Sequence, residues 1–131
     1  HTSGIPSYTG NRTWQARRAE AFAPDSLVAL VARDTVDFAP GTAWRYNNSG
    51  YVILGRLLER LGGRPYAEQM ETRYFRPLGM RTASYCADAP AAPLEATPHD
   101  RTPGGLMPAQ RISMTSPYAA GALCMSVPDF L

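Results

Sequence analysis

Between Asn48 and Gly63 the chain has one conformational choice. Leu54, Leu57, Leu58 and Leu61 stand at i, i+3, i+4 and i+7, while Arg56, Glu59 and Arg60 take the opposite side. That is the period of an amphipathic α-helix and of no strand. The start falls near Asn48 or Ser49, and Gly62-Gly63 supplies a left-handed stop. Burying four leucines at about 1.5–3 kcal/mol each would make this helix a core element, so all four are expected inside.

The remaining elements are read around that helix. Phe38 to Trp44 is extended, because Pro40 disfavours the helical region for the residue before it and Gly41 invites a turn. Ala23-Pro24-Asp25-Ser26 opens a helix whose stripe is Leu27, Leu30 and Val31. From Asn11 to Phe22 charge is dense, and Trp14 is the large anchor of a short helix. Pro65 suits the first turn of a third helix, running to about Phe75 with Tyr66, Met70 and Tyr74 on one face. Arg76 to Met80 ends it in a tight turn. Residues 87–108, rich in Ala, Pro, Gly and Thr, read as one long surface loop. Tyr118 to Leu123 is small and apolar and should pack closely. Ser126 and Pro128 then open another helix, and the chain stops at Leu131.

Composition excludes several functions. The chain has 131 residues, about one domain, and its apolar fraction of 44% fits a globular protein. Net charge is +2, with the thirteen basic residues scattered, so no clustered basic face points to nucleic acid. No apolar run approaches the roughly eighteen residues that signal a membrane span. All thirteen basic residues are Arg, so no lysine amine is available to any mechanism run by this chain alone. A phosphate-binding loop of the Gly-x-x-x-x-Gly-Lys kind is excluded on the same ground. Two histidines and two cysteines, far apart, make no zinc spacing, and no cofactor motif is present. Cys86 and Cys124 are either bridged or two separate buried thiols. A bridge would be worth roughly 4 kcal/mol and would place the protein outside the cytosol.

The residues with chemistry in them sit at the mouth of the central helix. Tyr46 and Asn48 put a phenol and a carboxamide two residues apart. A phenol can exchange protons when a cation holds down its pKa, and a carboxamide can hold a substrate carbonyl or amide. On spacing alone the plainer account is packing for Tyr46 and helix capping for Asn48. His1 and Ser3 suggest a catalytic triad, but no Gly-x-Ser-x-Gly elbow exists, and both read as loop residues. His99, beside Asp100, reads as solvent-exposed. Arg12, Arg17 and Arg18 read as a solvated face.

Six blocks in order change the standing of Tyr46 and Asn48. They are His1-Thr2-Ser3-Gly4-Ile5-Pro6, Phe38-Ala39-Pro40-Gly41-Thr42, Trp44 to Tyr51, Leu54-Gly55, Pro77-Leu78-Gly79-Met80 and Ala120-Gly121-Ala122-Leu123. Together they are similar to the class C β-lactamase-like serine hydrolases, which include β-lactamases, D-Ala-D-Ala carboxypeptidases, D-aminopeptidases and esterases. The resemblance implies an acyl-enzyme built from a Ser-x-x-Lys nucleophile, a Tyr-x-Asn motif and a Lys- or His-x-Gly strand. Tyr46 would be the proton-exchanging partner of the nucleophile, and Asn48 would bond the acyl-side amide of the substrate.

Two of the three motifs are absent, and Ser-x-x-Lys cannot occur without lysine. Residues 1–131 are therefore expected to be part of a domain: mainly α with long loops, the helical lobe of an α/β β-lactamase/transpeptidase-like fold without its sheet flanks. The expected function is that of a fragment of a serine acyl-enzyme hydrolase acting on a lactam, D-amino-acid peptide or ester, inactive by itself. The alternative is a non-catalytic penicillin-binding-like module. No cofactor and no nucleic-acid partner are expected. Family members are commonly periplasmic, secreted or membrane-anchored, and a periplasmic or secreted location is expected here.

Overall fold

The computed structural model describes residues 1–86 and 97–131. Among the described residues the helices are α1 (Arg12–Arg17), α2 (Pro24–Ala29), α3 (Ser49–Gly62), α4 (Tyr66–Met70) and α5 (Val127–Phe130). Strands β1 (Ser84–Tyr85) and β4 (Leu123–Cys124) pair antiparallel, as do β2 (His99–Thr102) and β3 (Gly105–Pro108). Single 3₁₀ turns occur at Tyr8–Gly10 and Tyr118–Ala120, and α4 runs on into a wider π turn at Glu71–Phe75.

The central helix has the expected bounds. It stops at Gly63, whose φ of 65° lets its N–H return to the Glu59 carbonyl. Its packing face is not the expected one. Leu54, Leu57, Leu58 and Leu61 are exposed, Leu61 by 78%. The buried residues of α3 are Ser49, Val52 and Gly55. The reason is steric. A Cβ on Gly55 would collide with Ala119 and come within 2.6 Å of the Tyr118 ring, so the missing side chain is what allows the 118–120 turn to seat against the helix. The elements present pack on the small-residue face, and the leucine stripe is left exposed.

The core gathers Tyr8, Trp14, Phe22, Leu27, Val31, Val52, Tyr66 and Tyr118. Leu27 and Val31 of the expected α2 stripe are inside, with Leu30 packed at the edge. The third helix buries Tyr66, Gln69 and Phe75 rather than the expected Tyr66, Met70 and Tyr74; Tyr74 is exposed. The π turn widens the spacing after Met70 and rotates Phe75 inward in place of Tyr74. Gln69 donates to the carbonyls of Leu58 and Arg64, both at 2.9 Å, which ties α4 to the end of α3.

Glu59 fixes the other side of that corner. Its carboxylate accepts the Tyr66 N–H at 2.8 Å and pairs with Arg56, whose guanidinium also grips Asp25 of α2 through two bonds of 2.7 and 2.9 Å. Within the expected long loop, residues 99–108 instead form the exposed β2–β3 hairpin; residues 87–96 lie outside the described part. Cys86 and Cys124 are joined by a disulfide, with Cα atoms 5.7 Å apart at the end of the β1–β4 ribbon.

Candidate active site

The site begins with backbone pairing between two stretches distant in sequence. The Thr2 carbonyl accepts Gly41 N–H at 2.8 Å, the Gly4 carbonyl accepts Asp37 N–H at 2.7 Å, and the His1 carbonyl accepts Arg45 N–H at 3.0 Å. Gly4 is required here twice over: its φ is 74°, and a Cβ would strike the Phe38 carbonyl. The first residues thus lie along the extended 37–45 run and deliver it to the start of α3.

The turn from Tyr46 to Ser49 is then tied down atom by atom. Asn47 is 5% exposed. Its carboxamide oxygen accepts the Gly50 N–H at 2.6 Å and its NH₂ donates to the Ile5 carbonyl. Its backbone N–H donates to His1 Nδ1 at 3.1 Å. Ser7 Oγ accepts the Asn48 N–H at 3.3 Å, and Ser49 Oγ accepts the Tyr8 N–H at 2.8 Å. Tyr8 itself donates to the Ser116 carbonyl at 2.7 Å. Burial, and then the nearby Tyr46, push the Tyr8 phenol up to about 12, so it stays neutral across the physiological range.

Tyr46 and Asn48 flank this wiring. Asn48 precedes the first residue of α3, but its side chain makes no capping bond. Asn47 holds the first turn instead, and the Asn48 carboxamide is left unspent. Tyr46 is 58% exposed at the same mouth. Its ring sits 4.6 Å from that of His1, which also meets Trp44 edge-on at 5.6 Å and Tyr51 at 5.3 Å. The neighbouring Arg45 is paired with Asp37 at 3.0 Å.

The other residues with chemical potential stand elsewhere. Ser3 Oγ accepts the Ile5 N–H within its own loop, and His1 and Ser3 form no triad. His99 lies exposed on the β2–β3 hairpin, turned to the Thr97 carbonyl. Arg17 pairs with Glu20, and Arg18 bonds Gln110. No metal-ligating cluster and no helix long and apolar enough to cross a membrane occur among the described residues. Sequence reading missed Asn47 and His1 as parts of the site. The doubled asparagine was the available signal, since either one could cap the helix.

Comparison with known proteins identifies the family and the fold. Residues 1–131 match the Beta-lactamase family. The chain is 36% identical over 88 residues to D-aminopeptidase of Cereibacter sphaeroides, covering 66% of this chain and 17% of that protein. It superposes on D-stereospecific amidohydrolase from Streptomyces sp. with a TM-score of 0.84 at 26% identity, over 98% of this chain and 42% of that one. D-amino acid amidase from Ochrobactrum anthropi SV3, complexed with D-phenylalanine, gives a TM-score of 0.84 at 21% identity, over 99% of this chain and 40% of that one. The chain therefore spans less than half the length of these relatives. Matched along its whole length and superposed on these folds, the chain, rich in helix with few strands among its described residues, belongs to the β-lactamase family.

Proposed function

We propose that this chain supplies the Tyr-x-Asn wall of a serine acyl-transfer hydrolase that opens amide, lactam or ester bonds next to a D-configured residue. The observation that carries the reading is the division of labour between the two asparagines. Asn47 takes the capping and bridging bonds, so Asn48 and Tyr46 stand at the helix mouth with their polar groups free of structural duties.

In this reading the Tyr46 oxygen takes the proton from the nucleophilic serine as it attacks the carbonyl. It then returns a proton to the leaving nitrogen or oxygen. Asn48 donates to the acyl-side carbonyl of the substrate or accepts from its amide, which fixes the scissile bond over the serine. A phenol needs a neighbouring cation for this task. Arg45 is committed to Asp37, and the chain holds no lysine, so the cation and the serine come from polypeptide beyond it. The relatives' greater length supports this. The disulfide supports an extracytosolic setting, where peptidoglycan-type peptides are available substrates.

The test is acylation by a fluorescent penicillin, followed by intact mass. Residues 1–131 alone should remain unlabelled; a covalent adduct on one of their serines would refute the assignment of the nucleophile. In the complete enzyme, Tyr46→Phe should lower turnover of D-alanine p-nitroanilide by about 10²-fold or more with an unchanged fold. A complete protein that binds penicillin without ever being acylated would be a binding module instead.

A further inference from the structure

We infer that His1 is a positioning residue for the catalytic turn: its unprotonated Nδ1 and its carbonyl clamp the backbone on both sides of Tyr46. This rests on the role proposed above for Tyr46. The clamp is visible in three contacts made by one residue. The His1 carbonyl accepts the N–H of Arg45 at 3.0 Å, and Nδ1 accepts the N–H of Asn47 at 3.1 Å. Between those two anchor points stands Tyr46, whose ring lies 4.6 Å from the imidazole with the planes tilted by 37°.

The chemistry singles out histidine at this place. Nδ1 can accept only while it carries no proton, so the ring is neutral with its hydrogen on Nε2. A carbonyl or hydroxyl acceptor could hold the Asn47 N–H alone. The imidazole also supplies a flat face that limits the swing of the phenol, with Trp44 and Tyr51 closing around the same ring. Tyr46 is more than half exposed and makes no hydrogen bond of its own, so its direction depends on the backbone beneath it and on that ring. A displacement of about 1 Å in a group that must meet a proton in flight costs on the order of 10²-fold in rate.

Because the role is positional, removing the acceptor should lower kcat and leave KM nearly unchanged. The complete enzyme is assayed with D-alanine p-nitroanilide as four variants. His1→Phe keeps a ring and loses the acceptor. It should lower kcat by up to about 10²-fold, the cost of misplacing a reacting group by about 1 Å. His1→Asn restores an acceptor near the Nδ1 position and should recover most of that loss. Tyr46→Phe alone abolishes most turnover, and adding His1→Phe to it should change the residual rate by no more than about twofold, because the two act through one group.

If His1→Phe yields no folded protein, His1→Gln takes its place, since its amide matches the Nε2 position of the ring and not the Nδ1 position that accepts the Asn47 N–H. Equal kcat in the wild type, His1→Phe and His1→Gln, with Tyr46→Phe inactive, overturns this proposal and leaves the reading of Tyr46 intact. A further large loss on the Tyr46→Phe background also overturns it. Full activity in Tyr46→Phe, or a wild type inert towards both the anilide and the penicillin, overturns the functional reading and this inference with it.

Discussion

Adjacent asparagines with opposite duties give a sharp experiment. Asn47→Ala removes the acceptor that holds the Gly50 N–H at 2.6 Å and the donor that satisfies the Ile5 carbonyl. Loss of a helix-capping acceptor costs about 0.5–2 kcal/mol. A carbonyl left without its donor in a partly buried place costs about 1–3 kcal/mol more. The turn can relax and water can reach part of it, so the expected loss is the lower half of the sum, about 1.5–3 kcal/mol. Asn48→Ala removes a carboxamide that makes no capping bond, and its cost should stay within about 0.5 kcal/mol, as for a surface change. Urea unfolding followed by tryptophan fluorescence reads both. Asn47→Ala should lower the midpoint at unchanged slope, and Asn48→Ala should not move it. Activity should divide the other way, with Asn48→Ala folded and impaired. A destabilised Asn48→Ala beside a stable Asn47→Ala would refute the division of labour on which the site is read.

Two further outcomes test the frame around the site. Gly55→Leu should destabilise by about 1–3 kcal/mol through overpacking, although leucine is the better helix former, because its Cβ would meet the Tyr118 ring at 2.6 Å; unchanged thermal unfolding would mean the 118–120 turn does not seat there. Burial opposes the charge on Glu59, but the Tyr66 N–H and the Arg56 guanidinium bonded to it outweigh that and hold this carboxyl below its ordinary range. A depressed carboxyl contributes stability above its unfolded value of about 4.3 and loses it as pH falls through the folded value, so Glu59→Gln should be less stable than wild type at pH 7 and the gap should close towards pH 3. A gap constant with pH would refute it.

The helices were legible where local chemistry decides them. Pro24 at the start of α2 and Gly63 after α3 set element bounds through backbone effects that need no partner. What the central helix packs against was not legible. Periodicity marks the side rich in leucine, whereas contact was decided by Gly55, whose lack of a side chain carries no hydrophobic signal. The π turn at Glu71–Phe75 hid the exchange of Tyr74 for Phe75 in the same way, since it breaks the period by which faces are counted. At the candidate site, the pair for which a role is proposed, Tyr46 and Asn48, could be singled out from the motif. The parts that hold them could not, because His1 and Asn47 are 46 residues apart in sequence and meet only through the fold.

That separation has a consequence in time. At roughly 5–20 residues per second of synthesis, His1 leaves the ribosome some seconds before Asn47 follows. During that interval the Gly4 backbone has no Phe38 to lie against, and the imidazole has no amide to receive. The Tyr46 turn is therefore among the last local structures to be completed in its own neighbourhood, although α3 beyond it can begin to coil on its own sequence. In the role proposed for it, Tyr46 gains its orientation only once two segments 46 residues apart in sequence have met.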